Sequence, residues 1–252
     1  MEKSLRVTGP REWQPSWRAK TKLFGPNERV FEGWKLSSPK PARSVPLDWR
    51  YARGGSLPDG PPKAEHTANP IGVGIIGQAT ARDRSWPAPQ IEGWDDPVQN
   101  WQDDPAPAGL GPLSPWWRPR QQHAGTYGQD WLNTRHPLLP ADFNERFWQC
   151  APPDQVIEPW LRGTERFVLL NLHPGHPRLA GGLPGIMLGM TVNVPGETSS
   201  RVPLNLDGVH FDLREGEAKV TLTWRARVPL PEGLGARLTL AERARVAEGV
   251  DA

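Results

Sequence analysis

This sequence predicts a mainly β protein of antiparallel, sandwich-like sheets, joined by long ordered loops and a few short helices. Three observations carry that expectation. Apolar and polar residues alternate with a period of two in the last third of the chain, as half-buried strands require. No helical apolar period survives for three turns between residues 60 and 119, a proline-dense stretch. And 13 tryptophans coexist with 30 prolines and 26 glycines in 252 residues. A Pro/Gly content this high approaches that of disordered chains, which are poor in aromatics. Each Trp can bury about 150–250 Å², worth roughly 4–6 kcal/mol as an upper bound at 25 cal/mol per Å². Such side chains need a core or a partner, and proline lowers the entropy of the unfolded chain. The middle therefore reads as ordered loop.

The elements follow in order. Lys3 to Thr8 alternates and stops at Gly9-Pro10, a short strand. From Phe24 to Gly60 the apolar clusters, Val30-Phe31 and Val45-Pro46-Leu47, predict only brief strands. A helix is expected from Gly128 to Arg135, halted by Pro137 and carrying Trp131 and Arg135 on one face. A second is expected from Pro140, with Phe143 and Phe147 four residues apart on a buried face. Strands are expected at Arg166–Leu172 and Ile186–Val194. Val209, Phe211 and Leu213, then Val220, Leu222 and Trp224, alternate on either side of Glu215-Gly216, which reads as a hairpin. Leu240, Ala244 and Ala247 fall at helical spacing and suggest a last helix from Leu240 to Glu248. The layout is one domain: strands over 1–60, a Pro/Trp-rich loop region with short helices over 61–159, an antiparallel β region over 160–230, and a tail or short helix over 231–252.

The 30 basic and 28 acidic side chains are scattered, without the basic face that nucleic acid requires. No window approaches the roughly 18 apolar residues of a membrane span. The single Cys150 cannot form an intramolecular disulfide, and no apolar signal core follows Met1. The expectation is a cytoplasmic protein that binds neither nucleic acid nor membrane.

Between Pro105 and Gln155 the chain carries, in order, Pro105-Ala-Pro-Ala-Gly-Leu-Gly-Pro112, Trp117-Arg-Pro-Arg120, Gly125-Thr-Tyr127, Trp131, Arg135, Pro137-Leu-Leu-Pro140, Asp142-Phe143, Arg146-Phe147 and Ala151-Pro-Pro-Asp-Gln155. This order of motifs resembles the bacterial effector adaptors, or chaperones, of the type VI secretion system, a family catalogued as a domain of unknown function. Outside that core Arg50-Tyr51 with Gly54-Gly55, Asn69-Pro70 with Gly72 and Gly74, Asn171-Leu172 with Pro174-Gly175, and Leu222-Thr-Trp-Arg-Ala226 keep the same order. Gly128 stands where the family usually has an acidic residue, and Asn144 where Asp is common. Leu5-Arg-Val7 resembles a strand that in the family follows about a hundred residues of β-rich chain, one domain's worth, so here it is expected as an unpaired edge. The resemblance implies a non-enzymatic protein that binds a toxin effector, often one that contains a PAAR region or associates with the spike, and helps load it onto the secreted spike.

Other constellations carry less. Gly72-Val-Gly-Ile-Ile-Gly77 with Glu92 fits a dinucleotide-binding pattern, but Asn69-Pro70 precedes it and Pro87 and Pro89 follow, so it reads as a Gly-rich turn. His173 and His176 form the basis of an alternative reading as a metal-dependent or other hydrolase. They lack a third ligand in sequence and read as surface loop histidines, with no metal and no cofactor expected. Cys150 reads as a buried thiol. A structural subunit of the secretion apparatus is a further alternative. Trp116, Trp117, Arg118, Arg120, Tyr127, Trp131, Arg135, Asp142 and Arg146 are the candidate partner-binding residues, because rigid Pro corners that present Trp, Tyr and Arg suit an interface. The competing expectation at 116–120 is a buried corner with Arg stacked on Trp. Asp142 and Arg146 are expected to pair with each other, and Asp154 to cap a turn.

Overall fold

In the computed structural model residues 2–20, 29–213, 218–230 and 235–245 are described. The chain is mainly β, with small antiparallel sheets and two short α-helices. It divides into two compact units, Met1–Val156 and Ile157–Ala252.

In the first unit the strands are β1 (Leu5–Val7), β2 (Glu12–Ala19), β3 (Arg29–Leu36), β4 (Arg53–Gly54), β5 (Val73–Gly74), β6 (Trp86–Pro87) and β7 (Ile91–Gly93). β1 is not an unpaired edge, because Leu5, Arg6 and Val7 lie opposite Gly93, Glu92 and Ile91 of β7. β3, eight residues long, exceeds the brief strands expected over Phe24 to Gly60, and β2 is eight residues as well. Trp13, Pro15 and Trp17 lie opposite Leu36, Trp34 and Phe31. Residues directly opposite share a sheet face, so these form one aromatic face. Period-two reading missed it because Pro15 interrupts the pattern and a register shift falls between Ser16 and Trp17. Trp13 and Trp34 from this face are buried with Ile76, Ala88 and Val98, and Trp86 and Trp101 pack against them. A second cluster joins Trp49, Ala52, Ile91, Leu113 and Trp117. Ordered tryptophan thus supplies the core of a unit with little regular structure.

The glycine-rich stretch brings backbones together. β4 and β5 pair in parallel, Arg53 with Val73 and Gly54 with Gly74. Gly74 has φ +94, and a Cβ there would overlap the Pro89 ring. The fully buried Asn69 donates from Nδ2 to the carbonyls of Trp49 (2.8 Å) and Arg53 (2.9 Å). Glu92, the residue at ribose-ligand spacing, is buried in an ion pair with Arg11 and accepts the Val98 N–H at 2.9 Å. The dinucleotide pattern is therefore a packing device.

After these strands come α1 (Arg118–Gln121) and α2 (Gln129–Thr134). α2 is capped by Gly128 and ends at Arg135, as expected. Proline density hid α1, although Pro119 suits a first helical turn. No α-helix starts at Pro140: the chain turns there, with Phe143 N–H donating to the Pro140 carbonyl at 3.1 Å, and a 3₁₀ turn follows at Glu145–Trp148, capped by Asn144. Phe143 and Phe147 still meet, ring centroids 5.7 Å apart and half-buried.

The second unit contains β8 (Arg166–His173), β9 (His176–Gly182), β10 (Ile186–Asn193), β11 (Ser200–Pro203), β12 (Asn205–Asp212), β13 (Lys219–Arg225) and β14 (Arg237–Arg245). The expected hairpin is β12–β13, with Val209 opposite Leu222 and Phe211 opposite Val220. Its Glu215-Gly216 turn lies outside the described residues. β8 and β9 form a second hairpin, and Phe167 meets Phe211 edge-on at 4.8 Å. Residues 240–245 are strand, not helix: β14 pairs with β10, Leu238 opposite Val192 and Leu240 opposite Met190. Residues 246–248 of the expected helix lie outside the described residues.

Candidate protein interface

The segment from Leu113 to Cys150 folds on itself, and is tied to the chain before it, through its backbone. Leu113 N–H donates to the Cys150 carbonyl at 2.7 Å, Arg118 N–H to the Thr67 carbonyl at 3.0 Å, and Asn144 N–H to the His123 carbonyl at 3.0 Å. Cys150 itself is exposed, contrary to the buried thiol expected.

Most of the candidate residues grip this scaffold. Trp117 is buried and meets Trp49 edge-on, centroids 5.9 Å apart. Arg120 lies inward, its Nη1 donating to the Leu113 carbonyl (2.7 Å) and its Nε to the Phe147 carbonyl (2.9 Å), with the guanidinium 5.3 Å from the Phe147 centroid. Trp131 Nε1 donates to the Leu138 carbonyl at 2.8 Å and Arg135 Nε to the Leu139 carbonyl at 2.7 Å, so one side of α2 holds the segment that follows it. Asp142 accepts from the Thr126 N–H (3.0 Å) and Oγ1 (2.7 Å). Those two bonds, the backbone one first, hold its carboxyl below the usual carboxylate range. They replace the pairing expected with Arg146, which is exposed. Asp154 receives Lys3 Nζ at 2.6 Å.

Trp116 and Arg118 face solvent. The Trp116 side chain is 80% exposed, far above what a ring of its size shows in a core. It stands at a depression of about 540 Å³ lined by Glu65, Thr67, Pro70, Trp116, Arg118 and Gln121–Gln122. Tyr127, half exposed, packs its ring on Trp131 at 4.8 Å. Leu132 and Leu138 add exposed apolar surface on and beside α2. Glu65, Thr67 and Pro70 were not legible as site residues. They lie some fifty residues before Trp116, and the Arg118–Thr67 backbone bond ties their stretch to it.

The histidine pair offers different chemistry. His173 and His176 oppose each other at the turn of the β8–β9 hairpin, on either side of Pro174-Gly175, with ring centroids 4.9 Å apart. His173 is buried, not a surface loop residue. Its Nδ1 accepts the Gly175 N–H at 3.0 Å. That bond puts the proton of a neutral ring on Nε2, the atom a metal would need, the reverse of the arrangement in ligating histidines. Among the described residues no group of three or more His, Cys, Asp or Glu is placed to hold a metal ion. Among them, too, no helix is long and apolar enough to cross a membrane.

Residues 1–225 match the model of a family described as an uncharacterized protein conserved in bacteria, DUF2169. The chain belongs to this family. No curated protein and no solved structure matches it. The family match reaches from β1 through the end of β13, so both units carry it and the Trp116 depression lies within it.

Proposed function

We propose that this chain is a non-enzymatic, cytoplasmic adaptor that binds a type VI secretion effector and helps load it onto the secreted spike. The reading rests on the ordered motifs that resemble that adaptor family and on one structural observation, the exposed Trp116 beside the α1 depression. An isolated apolar ring of this size in water is a cost that a partner removes. Covering it is worth roughly 4–6 kcal/mol as an upper bound. Its backbone is fixed by the neighbouring buried Trp117 and by the Arg118–Thr67 bond, so little entropy is lost on binding. Arg118 on the rim adds a charged, bidentate donor of the kind enriched at interface hot spots.

An adaptor must hold cargo and then release it, which calls for an extensive interface of moderate affinity, tuned through its dissociation rate. The test is co-expression with the effector encoded beside the gene, followed by pull-down. Trp116→Ala and Arg118→Ala should each stay folded and lose most of the retained effector. Full retention by both variants overturns the assignment of this surface. Failure of the wild-type chain to retain any effector or spike protein overturns the adaptor reading itself.

A further inference from the structure

The aromatic face of the β2–β3 sheet is buried at one end and open at the other. Trp13 and Trp34 lie in the core, whereas Trp17, on the same face, is 41% exposed. At the open end Trp17 meets Phe31 edge-on, centroids 5.4 Å apart. The Arg82 guanidinium stacks 4.1 Å from the Phe31 centroid, and that of Arg84 stacks 4.0 Å from the centroid of Trp86, a ring that packs on the same core. Arg29, exposed, shares the face, since Ala19 lies opposite it two residues beyond Trp17.

Stacking on a ring holds a guanidinium flat and leaves its donor edge free. Arg82 spends Nη2 on Gln78, donating to its carbonyl at 3.2 Å and to its Oε1 at 3.5 Å, which leaves Nε and Nη1 for a partner. No ion pair joins Arg29, Arg82 or Arg84 to an acidic side chain among the described residues. Glu32 of β3 pairs with Arg18 at 3.3 Å, and Asp83, between the two arginines in sequence, is exposed. Two ring-stacked arginines and the exposed Arg29, none of them ion-paired to a described acidic side chain, are complementary to carboxylates with an apolar neighbour.

We propose that Trp17, Arg29, Phe31, Arg82, Arg84 and Trp86 form a docking surface for an acidic, extended segment of a partner protein. Charge complementarity identifies the occupant, and the number of cations separates it from nucleic acid. Three arginines match two or three carboxylates, whereas nucleic-acid affinity is built from about 6–10 phosphate contacts. The planar donor edges suit bidentate contact with carboxylates. None of these residues lines the Trp116 depression, so the surface is separate from the one assigned above and stands or falls without it.

The test measures binding of a short glutamate-rich peptide carrying a neutral fluorophore, by fluorescence anisotropy at low salt. A glutamine-matched peptide and a single-stranded oligonucleotide of equal length serve as comparisons. The glutamate peptide should bind the full chain at least about tenfold tighter than the glutamine peptide, the weight of one charge-assisted contact. Arg82→Gln with Arg84→Gln should remove that preference. Arg82→Lys with Arg84→Lys, which keeps charge but loses the planar fork, should weaken it about threefold or more. Arg29→Gln touches no ring, leaves the fold intact and should weaken binding by itself. Absence of a glutamate preference in the wild-type chain overturns the proposal. Unchanged binding in Arg29→Gln together with the lysine pair overturns it as well, as does tighter binding of the oligonucleotide.

Discussion

Trp116 and Trp117 are neighbours in sequence with opposite environments: the first is 80% exposed, the second 8% exposed and edge-on to Trp49. The consequence is a separable pair of variants. Trp117→Ala should destabilise the first unit by about 3–5 kcal/mol, the usual loss for a buried large aromatic. Trp116→Ala should stay within about 0.5 kcal/mol of wild type, as surface changes do. Urea unfolding followed by near-ultraviolet circular dichroism checks both. A large stability loss in Trp116→Ala would mean that its ring is packed and is no partner surface.

Sequence patterning could not have made that distinction, because both residues are tryptophan in the same Pro-bounded segment. It succeeded where one period dominates: Val209, Phe211, Val220 and Leu222 alternate without interruption, and β12–β13 forms in that register. It failed at β14 because Leu240 and Ala244 fit a helical spacing, while Leu238 and Leu240 fit a strand just as well. Pairing with the edge of β10 that β11 leaves open decides between them. The Asp142 contact was illegible for a related reason. Arg146 is four residues away on the chain, but Thr126, sixteen residues back, reaches the carboxylate first. Glycine, proline and asparagine positions were visible as a motif, yet their role in close backbone packing emerged only once Asn69, Gly54 and Gly74 were placed together.

Asn69 is the hub of that packing. Asn69→Ala should cost about 1–3 kcal/mol, since it takes its side-chain donor from the buried Arg53 carbonyl and leaves the Trp49 carbonyl with the Ala52 N–H alone, at 3.2 Å. Thermal unfolding checks it, and a shift of less than about 2 °C would show that water or another donor already serves those carbonyls.

His66 gives the first unit a dependence on pH. Burial, and then the nearby Arg53 charge, hold its pKa below the ordinary histidine value, and its Nδ1 accepts the Asn69 N–H at 3.3 Å. The folded state therefore prefers the neutral ring. Its contribution is fully present above the unfolded value, about 6.5, and is lost as pH falls through the lowered folded value. The melting temperature should fall over that window in the wild-type chain and fall less in His66→Gln. Equal slopes in the two proteins would assign the acid sensitivity to other groups.

Two ion pairs in the first unit should behave oppositely. In Arg53–Asp104 the carboxylate is 82% exposed, and solvent screens it, so Asp104→Asn should cost less than about 1 kcal/mol. Arg11 and Glu92 are both buried, with Arg11 Nε also donating to the Pro89 carbonyl at 2.8 Å. Glu92→Gln leaves a buried guanidinium without its counter-charge and should cost about 3–5 kcal/mol. Arg11→Met alone strands the carboxylate and should cost a similar amount. Arg11→Met combined with Glu92→Gln removes both charges, so its loss should fall short of the sum of the two single losses by about 2 kcal/mol or more. Denaturant titration of the four proteins at low and high salt gives that cycle directly. Strict additivity, or a coupling that salt abolishes, would place this pair with Arg53–Asp104 among screened surface contacts and remove it from the core that orders β1 and β7.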